Sequence, residues 1–92
     1  NGVMPTNEWF EKIKSHVDFK GKSVVDYGCA EGVMCVLAKE AGAKTILGID
    51  NQSLPSFEGI YFRKENIGKE YASDIKIFSM IIHWIGQRTN RI

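Results

Sequence analysis

A glycine-bounded loop and two carboxylates are the residues whose types and spacing could hold a ligand. Asp26 and Tyr27 lead into Gly28-Cys29-Ala30-Glu31-Gly32, and Asp50 follows 18 positions after Gly32. Glycine at both ends lets the chain turn with positive φ and puts no Cβ between the loop and a closely approaching ligand. A helix opening after such a loop leaves its first amides without intrahelical partners, so their N–H groups face electron-rich atoms. A carboxylate at the tip of a neighbouring strand can accept two hydrogen bonds from a ribose diol.

Two better-known phosphate loops do not fit. The dinucleotide fingerprint G-x-G-x-x-G would place glycines at 30 and 33, where this chain has Ala30 and Val33. A Walker loop needs G-K-[ST] at a fixed distance from its first glycine. Gly21-Lys22-Ser23 spells those letters with no glycine-rich loop before it. The bland alternative is a generic turn that uses glycine for geometry alone. Acids at both Asp26 and Asp50 argue against it.

The elements that must position these residues read as one α/β domain over residues 1–92. A helical pattern with Trp9, Phe10, Ile13 and Val17 near one side follows Pro5 and Thr6, and Glu8 and Lys12 can pair at i,i+4. Ser23–Tyr27 reads as a short apolar strand ending beside an acid. Glu31–Ala41 reads as a helix, with Val33, Leu37 and Ala41 on one line, Met34 and Ala38 beside it, and Gly42 as its stop. Thr45–Asp50 is a second strand, and strand-helix-strand makes a parallel βαβ unit. Gly59–Arg63 suggests a third strand and Ile75–Ile81 a fourth; Ile82–Ile85 either continues it or opens a helix. Near-continuous apolar strands argue for a four-stranded, mostly parallel sheet in order 3-2-1-4 with helices on both faces, a three-layer Rossmann-like arrangement. Ligands of such sheets sit beyond the carboxyl ends of the strands, where strand order reverses.

Val24–Gly32 followed by Ile46–Asp50 resembles the first two motifs of the class I S-adenosylmethionine-dependent methyltransferases. That family shows an acid-x-G-x-G-x-G loop, matched here at Asp26, Gly28 and Gly32, with Ala30 at the middle glycine. The resemblance covers residues 21 to about 85. It implies methyl transfer from S-adenosyl-L-methionine, catalysed chiefly by positioning. It also implies that Asp26, Tyr27, Gly28, Cys29, Ala30 and Gly32 surround the methionine part of the donor. Asp50 would take the ribose hydroxyls, Asn51 or Gln52 would line the path to adenine, and Asn66 would accept the adenine amino group. Ser79 and Met80 would pass the donor at the end of the fourth strand. His83, the one acid–base candidate, would sit with Trp84 near the substrate mouth, although its apolar neighbours suit a packed histidine equally. The family domain has seven strands, so the chain is expected to be its N-terminal, truncated half. The methyl acceptor is not legible.

Composition bounds the remaining functions. With 12 basic and 11 acidic residues the net charge is +1, and 43% of residues are apolar. Such a balance gives no clear nucleic-acid patch and no field for anionic lipid. Cys29 and Cys35 form no CxxC, and with only His16 and His83 to join them no metal site is expected. Reduced thiols, no apolar run of membrane-spanning length and no leader-like start suggest a cytoplasmic protein. The run Ile75–Ile82 would make strand 4 a long apolar edge, which invites self-association or cover by missing chain. A non-catalytic fragment or interaction subunit with the same fold is therefore the alternative to an enzyme.

Overall fold

Strand β1 (Ser23–Tyr27) is the centre of the sheet because it is buried almost throughout, from Val24 to Tyr27. A computed structural model describes residues 6–80 of the chain. Before β1 comes helix α1 (Thr6–Lys14), with Glu8 in its first turn and Lys12 and Lys14 in its last, charges that suit the helix dipole. Helix α2 (Val33–Glu40), then β2 (Thr45–Asp50), β3 (Tyr61–Lys64) and β4 (Ile75–Phe78) complete the order. The sheet runs β3-β2-β1-β4, and all three pairings are parallel. The expected α/β class, strand order and direction are those observed.

Alternation along each strand divides the core. Val24, Ile46, Ile75 and Ile77 point to one face and pack with Phe10 of α1 and with Met34, Cys35 and Ala38 of α2. Phe10 also meets Phe19, ring centroids 5.0 Å apart, which fixes α1 against the turn into β1. Val25, Tyr27 and Ile49 point to the other face, where Leu47 and Tyr71 pack on them.

Helices were expected on both faces; among the described residues both lie on one. Connection lengths explain the difference. Residues 51–60 and 65–74 link parallel strands in fewer residues than a helical crossover with its two turns needs. Right-handed crossovers still decide which face each link covers. The chain steps outward from β1 to β3 on the α2 face, which places Leu54 and Ile60 there. It returns from β3 to β4 across the opposite face, which places Tyr71 there. The Tyr71 N–H donates to the Tyr27 hydroxyl at 2.9 Å, tying that irregular link to the central strand.

Strand β4 is shorter than its apolar run suggested. It ends at Phe78, and Ser79 and Met80 are helical. Its start is pinned to β1: the Ser23 N–H donates to the Asp74 carboxylate at 2.9 Å, and the Asp74 N–H donates to the Ser23 hydroxyl at 2.9 Å. These bonds hold the Asp74 carboxyl below the usual carboxylate range. No helix among the described residues is long and apolar enough to cross a membrane.

Candidate functional site

The bend between β1 and α2 is built from three residues with positive φ: Gly28 at 74°, Ala30 at 50° and Gly32 at 82°. At Gly28 the requirement is steric as well, since a Cβ there would meet the Met80 side chain at 2.5 Å. At Gly32, the N-cap of α2, a Cβ would press on the Phe62, Pro55 and Phe57 side chains at 3.2–3.3 Å. Alanine at position 30 keeps the bend and bears the small cost of the left-handed conformation.

Strand β2 holds the bend in place. The Ile49 carbonyl accepts the Gly28 N–H at 2.8 Å and the Cys29 N–H at 3.0 Å. The Asp50 carboxylate accepts the Ala30 N–H on Oδ2 at 2.9 Å and the Gln52 N–H on Oδ1 at 3.2 Å. Asp50 therefore converges on the loop, as the two-motif spacing implied. Each of its oxygens has one backbone partner and capacity for a further donor. Asp50 is half-buried, so that capacity faces accessible space.

Two asparagines meet beside this acid. The Asn51 amide donates to the Asn66 carbonyl oxygen at 3.4 Å, and both side chains are exposed at the tips of β2 and β3. The Glu65 N–H donates to the Asp50 carbonyl at 3.0 Å and carries the β3 exit toward the loop. Asp50, Asn51, Asn66 and the bend thus share the carboxyl end of the sheet.

Asp26 occupies a different layer. Its side chain is 0% exposed. Oδ1 accepts the Ser79 hydroxyl at 2.6 Å, and Oδ2 accepts the Cys35 thiol at 3.6 Å. Burial raises its pKa to about 6 despite those hydrogen bonds and with a small push from Asp50. Asp26 therefore supports the crevice from below and presents no free oxygen to it. The Cys35 thiol is pushed well above its ordinary value by hydrogen bonding with Cys29, by burial and by Asp26. Both cysteines are free thiols packed in the core.

Between the two sides of the strand switch lies a crevice of about 370 Å³, lined by Gly28, Ala30 and Glu31 of the loop, Met34 of α2, Thr6 of α1 and Ser79 after β4. Cys29 also borders it. Tyr27 does not: it points to the opposite face, stacked on Phe78 with centroids 5.1 Å apart. Its expected place beside a ligand is corrected by strand alternation, which turns Tyr27 away from the face that Asp26 occupies. His83 and Trp84 lie outside the described residues. Thr6, Glu31 and Met34 were not singled out from sequence. Glu31 could have been, as the charged residue of the loop, whereas Thr6 arrives through the packing of α1, which no local pattern announces.

Comparisons with known proteins bear on the fold. No protein-family model matches the chain. Protein arginine N-methyltransferase 1 of Dictyostelium discoideum is 47% identical over 36 residues, 39% of this chain and 11% of that protein. Ribosomal protein L11 methyltransferase of Vibrio campbellii is 38% identical over 53 residues, 53% of this chain and 17% of that protein. A crystal structure described as an S-adenosylmethionine-dependent methyltransferase of Listeria monocytogenes superimposes with a TM-score of 0.52 at 33% identity, over 63% of this chain and 31% of that one. The chain thus spans less than a third of each of these proteins. It is a partial match to the S-adenosylmethionine-dependent methyltransferases, with a Rossmann-like sheet in common.

Proposed function

We propose that the chain binds S-adenosyl-L-methionine at the carboxyl ends of β1 and β2 and forms the donor-binding part of a methyltransferase. The observation that carries the proposal is the Asp50 carboxylate bonded to the amide of Ala30 at 2.9 Å, an acid and a positive-φ bend joined at the carboxyl end of the sheet. The residues present fit such a donor. Asp50 has acceptor capacity for a ribose diol, and the Ala30 that it holds borders the crevice. The 370 Å³ crevice is within the range of small-molecule sites.

When bound, the donor supplies a methyl group made electrophilic by its sulfonium. The chain's own residues bind and orient. Asp50 takes the ribose, and Asn51 with Asn66 lies along the adenine path. Gly28, Ala30 and Gly32 shape the bend, and Ser79 borders the far wall under the hold of Asp26.

Calorimetry with S-adenosylmethionine, S-adenosylhomocysteine and NAD tests the reading. Micromolar binding of either methionine nucleoside, lost in Asp50→Ala, is the expected result. No binding, or equal binding of NAD, rejects it.

A second reading, a non-catalytic piece that joins other chain through β4, has one observation in its favour. The outer edge of β4 has no partner strand among the described residues, and Phe78 on it is 42% exposed. This reading retains the fold and discards methyl transfer.

A further inference from the structure

We propose that Cys29 and Cys35 form a redox-active dithiol, a site where a two-electron oxidant closes an intrachain disulfide. The inference stands apart from the donor reading, since no nucleoside enters it.

Sheet register brings the two sulfurs together. Asp26 and Gly48 are direct partners across β1 and β2, so they share one face of the sheet. The Cys35 thiol, from the first turn of α2, donates to the Asp26 carboxylate at 3.6 Å. The Cys29 sulfur lies over Gly48, where a Cβ would meet it at 3.0 Å. Both sulfurs thus sit above one register pair, within hydrogen-bonding reach of each other. The Cys29 thiol otherwise meets the Ala30 carbonyl at 4.0 Å, a long contact that ties its rotamer little. Only six positions separate the two cysteines, so joining them closes a short loop at small entropic cost.

Burial assigns the order of events. Cys29 borders the crevice and is 4% exposed, whereas Cys35 is 0% exposed. Hydrogen bonding with Cys29, burial and Asp26 hold Cys35 in its thiol form. Cys29 therefore meets the oxidant and Cys35 resolves. With diamide, the Cys29 thiolate adds to one nitrogen of the azo bond, and the other nitrogen takes a proton. The Cys35 sulfur then attacks the Cys29 sulfur and breaks its S–N bond. The departing hydrazine takes the Cys35 proton, so the dithiol has lost two electrons and two protons and the azo bond has gained them. In the disulfide Cys35 has no hydrogen left for Asp26, which keeps its bond from Ser79. Oxidation beneath α2 thereby reaches the buried support of the crevice wall.

The test treats the folded 92-residue chain with diamide, alkylates it with iodoacetamide in urea and digests it with trypsin. Both cysteines fall in the one tryptic peptide 23–39, so the bond is read without any variant. That peptide should be about 2 Da lighter than its reduced form and carry no alkyl group. Dithiothreitol should restore both alkylation sites, and circular dichroism should show the same fold before and after oxidation. Two alkylated cysteines, or a peptide joined to a second copy of itself, would overturn the inference. So would a lasting diamide adduct on one sulfur, or loss of the native spectrum on oxidation. The donor reading survives each of these results, and failure to bind nucleosides leaves the dithiol standing.

Discussion

The Ser79 hydroxyl donates to the Asp26 carboxylate at 2.6 Å, joining the residue after β4 to the central strand across 53 positions of sequence. That bond sits at the place where strand order reverses. It holds the wall of the crevice that carries Ser79 against the wall that carries the bend. Met80, next in the chain, closes over Gly28. The buried acid is thus a support for two walls, and its charge state bears on the stability of both.

Burial lifts the Asp26 carboxyl to about 6 from an unfolded value near 3.8. Between those values the folded chain binds the proton and the unfolded chain does not. The stabilisation linked to it is fully present below the unfolded value and is lost as pH rises through the folded one. A shift of this size corresponds to about 3 kcal/mol. Urea unfolding of the parent and of Asp26→Asn across this pH window should show the parent losing up to that much stability relative to the variant. Parallel pH profiles would contradict the assignment.

Gly28→Ala should destabilise by about 2–4 kcal/mol, from left-handed strain plus overlap with Met80. Ala30→Gly should act oppositely. Removing the Cβ at φ 50° relieves strain of about 1 kcal/mol, partly offset by greater freedom of the unfolded chain. Thermal melts check both, and a less stable Ala30→Gly would show that the alanine methyl packs usefully.

Asp50→Asn keeps one acceptor oxygen but removes the charge and one of two backbone acceptors. We expect a loss of about 1–2 kcal/mol in stability from the freed amide. Affinity for S-adenosylhomocysteine should fall at least about tenfold. Calorimetry beside unfolding curves separates the two effects, and intact affinity would place the ribose elsewhere.

The outer edge of β4, without a partner strand among the described residues, and the exposed Phe78 ring should promote association. Light scattering over a dilution series is expected to show species above monomer mass that shrink in Phe78→Lys. A concentration-independent monomer would remove this expectation.

Strands β1 and β2 were legible to the residue because each is a short apolar run stopped by an acid and a turn. Their order followed from the βαβ rule. Helix α2 was legible as a helix but not in phase. Val33 to Ala38 is apolar at every position, so periodicity could not choose the buried line. Met34, Cys35 and Ala38 face the core, and Val33 is exposed. A similar ambiguity hid the end of β4, since a mostly apolar run reads equally as strand or helix until Ser79 finds Asp26. The donor loop and Asp50 were visible as types at a spacing. That Asp26 serves Ser79, and that Tyr27 turns away to stack on Phe78, depends on which face each strand residue takes.

The Ile49 carbonyl takes two loop amides, and the next side chain takes a third. By sequence the bend belongs between β1 and α2; mechanically it is an appendage of β2. Sheet twisting or rocking of α2 will move bend and carboxylate as one piece, with the gap between them conserved. Spacing at that end of the molecule is therefore remembered by a single strand, whatever its neighbours do.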